Sequence, residues 1–192
     1  MIIGITGTIR SGKDTVATYL TSHHGFVHYS LSAYIRSVAR ARGADQKDRT
    51  VLQDIANELR VHHGSGILAE KALEYFKPGM KYVVSSIRNP TEIEVLKREK
   101  NFVLLSIDAP VNDRYKRSVA SGDQKFQTFE EFVASEEREK SNNPHEQQLH
   151  SCMAMADYKI VNVGIGPESV KALEQKIDEV LQDITLKRAT KK

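Results

Sequence analysis

Apolar and polar residues follow one another in blocks along this chain, and the spacing within the blocks alternates between two periods. Short apolar runs of four to six residues predict strands, the first of them at residues 2–5. Longer stretches repeat an apolar residue every three or four positions; in the stretch 49–62, for example, Val51, Ile55 and Leu59 lie four residues apart. Strands that alternate with helices in this way predict a parallel sheet covered by helices on both faces.

The predicted elements are distributed over the whole chain, without a repeat or a linker between them. Strands are expected at residues 2–5, 26–29, 81–86, 102–107 and 158–163. Helices are expected at residues 12–22, 31–42, 49–62 and 67–76, and further helices begin near Pro90, Pro110 and Pro167. Five strands with interleaved helices suffice for a doubly wound, three-layer α/β/α domain.

The bulk composition agrees with a single soluble domain. The chain has 192 residues, 40% hydrophobic and 28% charged, and we expect one domain over residues 1–186 with a basic tail, 187–192. The sole cysteine, Cys152, excludes an internal disulfide and agrees with a reducing compartment. A first strand at Ile2 leaves no room for a targeting peptide, and no apolar run approaches the ~20 residues of a membrane span. We therefore expect a cytoplasmic protein without a membrane partner.

The excess of positive charge is concentrated at the end of the chain. The formal net charge is +3, and Lys187, Arg188, Lys191 and Lys192 lie within the last six residues. Without these four the net charge would be −1, so a frayed basic tail explains the excess better than a nucleic-acid surface does. Nucleic acid is not expected as a partner, and the sequence indicates no particular oligomeric state.

A loop with two glycines and a lysine separates the first predicted strand from the first predicted helix. Gly7, followed by Gly12 and Lys13, gives the spacing of a phosphate-binding loop, or P-loop, in its required position between a strand and a helix. Glycines let the backbone curl so that its N–H groups face phosphate oxygens, and the helix N-terminus adds positive charge there. A purely structural turn would not need the lysine. The residues expected to hold a nucleotide are Gly7, Thr8, Arg10, Ser11, Gly12, Lys13, Asp14 and Thr15.

The residue after Lys13 departs from the usual pattern of such loops. Asp14 stands where a serine or threonine usually ligates magnesium, and Thr15 follows it. A carboxylate is a hard oxygen ligand and suits Mg²⁺. Either Asp14 binds the ion, directly or through water, or Thr15 does, and we favour Asp14.

Arginines follow several of the predicted strands. A kinase needs cations to neutralise the transferring phosphoryl group and an enclosed site to exclude water. Arg36 lies in the helix after the second strand, and Arg88 follows the third strand at the carboxyl edge, where open α/β sheets bind ligands. Arg114 and Arg117 begin the helix after the fourth strand and lead into a charged segment that contains Arg138. We expect Lys13, Arg88 and these three arginines to stabilise the transferred group.

The predicted helix 49–62 carries a polar stripe. Arg49, Gln53, Asn57 and Arg60 share one face at spacings of four, four and three residues. One interpretation is a solvated helix face. The other is an acceptor-binding surface, because the helix belongs to the region 31–76 between the second and third strands, where an acceptor-binding insertion would lie.

Residues 122–144 are polar and highly charged, which predicts a mobile surface segment. It could close over the phosphates as a lid and contribute Arg138. Alternatively it is a solvent-exposed charged helix with pairs such as Glu137 and Lys140. The two arginines at its entrance favour a lid, which we expect over about residues 118–145.

These motifs resemble the nucleoside-monophosphate-kinase-like branch of P-loop proteins over nearly the whole chain. Gly12-Lys13-Asp14-Thr15 is similar to the loop of phage-type deoxynucleoside monophosphate kinases, and Arg49-x3-Gln53-x6-Arg60 to their acceptor helix. Ser30 and Arg36 are placed like the serine and the phosphate-binding arginine of adenylate-kinase-type acceptor sites. The resemblance implies a P-loop kinase fold, ATP and Mg²⁺ as cofactors, and acceptor contacts from Ser30, Arg36, Arg49, Gln53, Arg60 and Arg88.

The C-terminal half is most similar to archaeal adenylate-kinase-related proteins and dephospho-CoA kinases. The matching stretches are Ile107-Asp108-Ala109-Pro110, Arg114-Tyr115-x-Arg117 and Ala156-Asp157-Tyr158-x-Ile160-x-Asn162. The family implies that residues 162–166, with Asn162 and Gly164, form the loop beside adenine. It also implies that Arg114 and Arg138 contact ATP from the lid.

The third strand departs from the family pattern. It ends in Ser86-Ile87-Arg88, where the family has an Asp-x-Arg element, so the carboxylate that helps to hold magnesium or to orient the acceptor is missing. Asp14 could supply the lost negative charge, with Asp108 as a more distant candidate. Alternatively the site is catalytically weak.

We therefore expect magnesium-dependent transfer of the ATP γ-phosphoryl group to a small acceptor, in the first place a nucleoside or deoxynucleoside monophosphate. A dephospho-CoA kinase is the alternative enzyme. The alternative of another class is a nucleotide-dependent regulatory P-loop protein, which the loss of the third-strand carboxylate would suit.

Overall fold

The computed structural model describes residues 1–122, 126–137 and 143–190, and the elements named below lie within them. The strands are β1 (Ile2–Gly7), β2 (Val27–Ser30), β3 (Tyr82–Ser85), β4 (Phe102–Asp108) and β5 (Tyr158–Val161). The helices are α1 (Lys13–His24), α2 (Leu31–Ala41), α3 (Arg49–His63), α4 (Ile67–Tyr75), α5 (Pro90–Leu96), α6 (Val111–Ala120), α7 (Phe129–Glu137), α8 (Leu149–Ala154) and α9 (Pro167–Ala189). None of these helices is both long and apolar enough to cross a bilayer.

The strands form a parallel sheet in the order β2–β3–β1–β4–β5. The central strand, β1, pairs with β3 on one side, where Ile3 is aligned with Val83, and with β4 on the other, where Gly4 is aligned with Leu104. Every residue of β1 is buried, as expected for a parallel strand that is covered on both faces. The predicted five-stranded parallel sheet is confirmed within the described residues.

The side chains that alternate along the strands pack into two separate core clusters. On one face, Ile3 packs with Leu20 of α1 and Ile177 of α9. On the opposite face, Val84 of β3 belongs to the same cluster as Leu68 of α4, together with residues of α2, α3, α5 and α8. Helices therefore cover both faces of the sheet, and the predicted α/β/α layering is confirmed.

The segment 122–144, predicted as a charged surface segment that is either a lid or an exposed helix, contains α7, and this helix has a buried apolar side. Phe132 of α7 is fully buried, and its ring centroid lies 5.8 Å from that of Tyr115 in α6 and 5.1 Å from that of Phe126. Phe126, Phe129 and Phe132 are spaced three residues apart, which suits a helix with one apolar face. The many charges around them obscured this spacing in the sequence.

Candidate active site

Residues 7–15, the P-loop, connect β1 to α1 and require glycine at two positions. Gly7 has a φ of 137°, and a Cβ on it would lie 1.9 Å from the carbonyl oxygen of Ile107. Gly12, the N-cap of α1, has a φ of 108°, and a Cβ there would lie 2.7 Å from the amide nitrogen of Asn162. Both the backbone conformation and the close packing exclude a side chain.

The carbonyl groups of the P-loop are hydrogen-bonded from outside the loop. Arg117 donates to the carbonyls of Arg10 (3.1 Å) and Ser11 (3.3 Å), and Asn162 donates to the carbonyl of Ser11 (2.9 Å). Arg114 donates to the carbonyl of Ile9 at 3.4 Å. Because the C=O and the following N–H of a trans peptide point in opposite directions, the contacts to Ile9 and Ser11 turn the amides of Arg10 and Gly12 toward the inside of the loop, where a phosphate would lie. The amide of Ser11 instead donates to the carbonyl of Thr8 at 3.3 Å.

The guanidinium of Arg117 therefore donates mainly to main-chain carbonyls. Besides the P-loop carbonyls, its guanidinium donates to the carbonyls of Asn162 (2.9 Å) and Gly164 (3.1 Å from Nε) and to Ser169 Oγ (3.2 Å). Burial lowers the pKa of Arg117 from its ordinary value. The side chain joins the P-loop to the segment after β5, a contact that short sequence motifs do not predict.

Arg114 is 6% exposed and lies against α7, outside the wall of the cavity described below. Its Nε donates to the carbonyl of Ala109 at 2.8 Å, and its guanidinium forms an ion pair with Glu136 of α7. The same guanidinium lies 5.7 Å from the centre of the Phe132 ring. The structure thus places Arg114 between the P-loop and α7, and its contact with the transferred phosphoryl group stays a prediction.

The segment after β5 lies directly beside the P-loop. Asn162 is 6% exposed, and its side chain accepts a hydrogen bond from Ser169 Oγ (2.9 Å) while it donates to Ser11. The amide of Gly164 donates to Asp113 of α6 at 2.8 Å. These bonds hold the segment that the family resemblance assigns to adenine close to the phosphate loop.

A cavity of about 900 Å³ opens at the carboxyl edge of the sheet, between the P-loop and helices α2 and α3. The predicted site residues that line it are Arg10, Gly12, Lys13, Asp14, Thr15, Arg36, Gln53, Arg60, Arg88 and Arg117. The predicted residues outside its wall are Gly7, Thr8, Ser11, Ser30, Arg114, Asn162 and Gly164. Arg138 and the side chain of Arg49 lie outside the described residues. The structure thus brings part of the nucleotide loop and four of the acceptor candidates, Arg36, Gln53, Arg60 and Arg88, into one cavity.

Positive side chains far outnumber negative ones in the described lining of the cavity. Among the described residues, the cationic lining consists of Arg10, Lys13, Arg36, Lys47, Arg60, Arg88 and Arg117. The carboxylate in this lining is Asp14. Cations that converge on a concave surface attract anions, so the cavity suits ligands that carry several phosphate charges.

Hydroxyl groups occupy the ends of β2 and β3, and one of them, that of Ser86, stands where the family pattern has a carboxylate. Ser30 Oγ lies 3.0 Å from Ser86 Oγ and 2.9 Å from Ser32 Oγ, and Arg36 donates to Ser32 Oγ at 2.6 Å. Ser86 has a φ of 64°, which is unusual for a residue with a side chain. Beside it, Ser85 Oγ lies 2.7 Å from His28 Nε2. This edge of the cavity therefore carries hydroxyl groups beside the cations Arg36 and Arg88.

Several polar residues of the lining were not predicted as site residues from the sequence. Ser32, Lys47, Ser85 and Gln147 also line the cavity. Ser85 ends β3 and could have been found by the rule that pointed to Arg88. Lys47 and Gln147 lie outside the regular elements, and no periodic pattern marks them.

Arg60 is buried, so the solvated-face interpretation of the stripe on α3 is wrong for this residue. Its side chain is 2% exposed and donates to Glu92 of α5 at 2.9 Å, where the Glu92 side chain is fully buried. Nη1 of Arg60 donates to Asn57 at 3.3 Å. The sequence shows the arginine but not its partner, which lies 32 residues further along the chain.

The oxygen ligands that side chains offer at the start of α1 fit a magnesium ion. Asp14 and Thr15 line the cavity next to Lys13 and offer a carboxylate and a hydroxyl oxygen, the ligand type that Mg²⁺ prefers. No group of three or more His, Cys, Asp or Glu that could hold a metal occurs among the described residues. Magnesium at phosphate sites usually takes one or two protein ligands besides phosphate and water, so this small donor set fits.

Comparison with solved structures agrees with the fold. The structure of shikimate kinase from Aquifex aeolicus vf5 matches with a TM-score of 0.54 at 17% sequence identity, over 97% of this chain and 99% of that chain. The protein therefore has the α/β fold of P-loop kinases, as the sequence predicted. No family model matches the chain.

Several known proteins are similar to this one in sequence. Cytidylate kinase from Rhodopseudomonas palustris (strain TIE-1) is 40% identical over 62 residues, which make up 31% of this chain and 29% of that protein. A UPF0200 protein from Pyrobaculum aerophilum is 30% identical over 186 residues, which cover 95% of this chain and 98% of the relative. Since this similarity extends over nearly the full length of both chains, the protein belongs to the UPF0200 family.

Proposed function

We propose that the protein is a kinase that transfers the γ-phosphoryl group of ATP to a nucleoside or deoxynucleoside monophosphate. One observation carries the proposal: Lys13 of the P-loop and the acceptor-side arginines Arg36 and Arg88 line the same cavity. A phosphotransferase needs the donor and the acceptor phosphates side by side, surrounded by positive charge. A nucleotide-binding switch does not need the second set of cations.

On the donor side, the inward-facing amides and Lys13 bind the phosphates of ATP. Asp14 is the proposed ligand of magnesium, with Thr15 as the second candidate, and the ion when bound neutralises phosphate charge. Arg117 and Asn162 keep the loop in its binding shape through the carbonyls of Arg10 and Ser11.

On the acceptor side, Arg36 and Arg88 bind the monophosphate so that one of its oxygens attacks the γ-phosphorus. The bond from that phosphorus to the leaving oxygen breaks, and ADP leaves. A phosphate oxygen is already ionised near neutral pH, whereas a hydroxyl acceptor must lose a proton to a base. In the described lining, Asp14 is the available carboxylate and is assigned to magnesium, which favours a monophosphate over dephospho-CoA, whose acceptor is a hydroxyl group.

Residues 118–145 are proposed as the lid that excludes water from the cavity. The ion pair between Arg114 and Glu136 ties α7, a part of this region, to the residues beside the P-loop. The stretch of similarity to a cytidylate kinase supports the choice of a nucleotide acceptor.

The test is an assay of ADP release with ATP and magnesium across the common ribo- and deoxyribonucleoside monophosphates and dephospho-CoA. We expect turnover with at least one monophosphate and its loss in Lys13→Ala. Turnover with dephospho-CoA alone would assign the alternative kinase. Slow ATP hydrolysis without phosphorylation of any acceptor, together with a nucleotide-dependent protein complex, would instead support a regulatory P-loop protein.

A further inference from the structure

We infer that Glu92 is a positioning residue for the acceptor site, because its buried carboxylate fixes the main chain that carries Arg88. The inference rests on the proposed function, in which Arg88 binds the acceptor phosphate. Glu92 itself does not line the cavity, so it would act through Arg88 without touching the substrate.

The two oxygens of the Glu92 carboxylate bind two different parts of the fold. Oε1 accepts a hydrogen bond from Arg60 of α3 at 2.9 Å. Oε2 accepts from the main-chain amides of Arg88 (2.9 Å) and Asn89 (3.1 Å). A single carboxylate thus links the acceptor-side helix α3 to the end of β3.

Part of this arrangement is an ordinary helix cap. Asn89 is the N-cap of α5, and Glu92 and Asn89 form a capping box, which stabilises many helix N-termini. A capping box needs neither complete burial nor a cationic partner, and it does not need the amide of the residue before the N-cap. The Glu92 side chain is fully buried, pairs with Arg60 and also accepts from the amide of Arg88, the residue before the N-cap.

The junction of Arg88 and Asn89 also holds the chain that returns from the lid region. Asn89 Nδ2 donates to the carbonyls of Pro144 (2.7 Å) and Glu146 (3.0 Å), and the carbonyl of Arg88 accepts from the amide of Gln148 (2.8 Å). The side chain of Arg88 donates to Gln147 at 3.3 Å. The direction of the Arg88 side chain therefore depends on a main-chain segment that is held by Glu92 and by residues 144–148.

A buried carboxylate is stable here because Arg60 balances its charge. Removing one partner of a buried ion pair leaves an uncompensated charge and destabilises a fold strongly, whereas removing both charges together is often tolerated. Removing both charges can therefore restore the stability of the fold without restoring the position of Arg88. A variant of this kind distinguishes a role of Glu92 in stability from a role in positioning.

The experiment measures the KM and the Kd of the monophosphate and of ATP separately in three variants. Glu92→Gln keeps the shape of the side chain but cannot accept from both amides and Arg60 at once. We expect its KM and Kd for the monophosphate to rise roughly 10-fold, because a displaced cation loses much of its interaction with phosphate. The KM for ATP should stay unchanged. Arg60→Met alone leaves the buried carboxylate on both amides but without its cation, so it should lose thermal stability. The double variant Arg60→Met with Glu92→Leu should recover that stability and yet bind the acceptor more weakly than Arg60→Met, because the amides of Arg88 and Asn89 have lost their acceptor.

The matched control is another arginine–glutamate pair that involves α3. Glu58 pairs with Arg42 at 2.6 Å on the exposed surface, and neither residue lines the cavity. Glu58→Gln should change neither the KM for the monophosphate nor the KM for ATP.

The positioning role is contradicted if Glu92→Gln leaves acceptor binding unchanged, or if it weakens ATP and acceptor equally. A wild-type protein that phosphorylates no monophosphate contradicts the proposed function instead. Calorimetric Kd values for the monophosphate then still decide whether Glu92 shapes the acceptor site, and the absence of monophosphate binding to the wild type would overturn that role as well.

Discussion

The hydroxyl group of Thr8 donates a hydrogen bond to the carboxylate of Asp108, with 2.6 Å between Oγ1 and Oδ1. The two residues lie at the carboxyl ends of the neighbouring strands β1 and β4, and the same carboxylate oxygen accepts from the amide of Ala109 at 2.8 Å. Asp108 was a distant candidate for the missing charge near magnesium. Its geometry instead connects the first turn of the P-loop to the end of β4.

This contact predicts that Asp108→Asn is nearly neutral, because the side-chain oxygen of asparagine accepts the same two hydrogen bonds. Asp108→Ala removes both and should raise the KM for ATP roughly 3- to 10-fold, the effect of about 1 kcal/mol of lost hydrogen bonding. Steady-state kinetics of the two variants with varied ATP and magnesium provide the measurement. A loss of magnesium dependence in the asparagine variant would show that the carboxylate binds the ion after all.

Gly7→Ala should be among the most destabilising changes in the chain, since the new Cβ would lie 1.9 Å from the Ile107 carbonyl oxygen. Gly43 provides the matched control: its φ of 68° is also positive, but nothing lies within 4 Å of a Cβ built there. We expect Gly43→Ala to cost about 1–2 kcal/mol of unfolding free energy, the usual strain of that conformation. Gly7→Ala should cost more than about 4 kcal/mol or prevent folding, as large losses come from steric overlap. Urea unfolding of both proteins tests this, and equal losses would contradict it.

The magnesium assignment predicts that Asp14→Ala lowers kcat by roughly 100-fold, in line with the loss of other groups that stabilise transition-state charge. ATP binding without magnesium should change little, because the loop amides and Lys13 remain. Thr15→Val is the matched variant for the alternative ligand. The two proteins are compared by titrating activity with magnesium. If Asp14→Ala keeps both its activity and its magnesium dependence, the carboxylate is not the ligand.

His28 predicts a dependence of stability on pH. Partial desolvation at the edge of the cavity lowers the pKa of its imidazole below the ordinary value, and the charge of Asp14 opposes this only in part. Between the folded pKa and about 6.5, the unfolded chain binds more protons than the folded one, so this residue destabilises the protein as the pH falls through that window. Below the folded pKa the loss is complete and constant.

The variant that isolates this effect is His28→Gln, whose amide can still reach Ser85 but does not titrate. We expect the free energy of unfolding of the wild type to fall, relative to the variant, between pH 7.5 and pH 5.5. Urea unfolding at several pH values measures the difference. Parallel curves for the two proteins would contradict the assignment.

The strands, most helices and the P-loop were predictable because their signals are local. The period of Val51, Ile55 and Leu59 identifies α3 without knowledge of any other element, and the glycine spacing of the P-loop is explained by the conformations of Gly7 and Gly12 themselves. Local periodicity also places Arg36 and Arg88 at the carboxyl edge, because parallel strands all end there.

The roles of the remaining arginines depend on distant partners. Arg60 looks the same in sequence whether it faces solvent or Glu92, and Arg117 gives no sign that its donors meet the carbonyls of Arg10 and Gly164. These contacts join residues far apart in the chain, and they arise only when the helices pack on the sheet. A positive residue at the right edge can therefore be predicted from the sequence, whereas its hydrogen-bond partners cannot.

The central position of β1 also determines when in folding the nucleotide site can exist. β1 is made first, but its two neighbours are β3 and β4, which end at Ser85 and Asp108. Until both have been added, the first strand has open edges and the P-loop lacks the Asp108 and Ile107 contacts that shape it. Such long-range pairing slows folding and leaves apolar strands exposed in the meantime. A growing chain that ends before Asp108 thus carries the phosphate-binding sequence without a phosphate-binding structure, and a nucleotide can stabilise the protein only after β4 has been made.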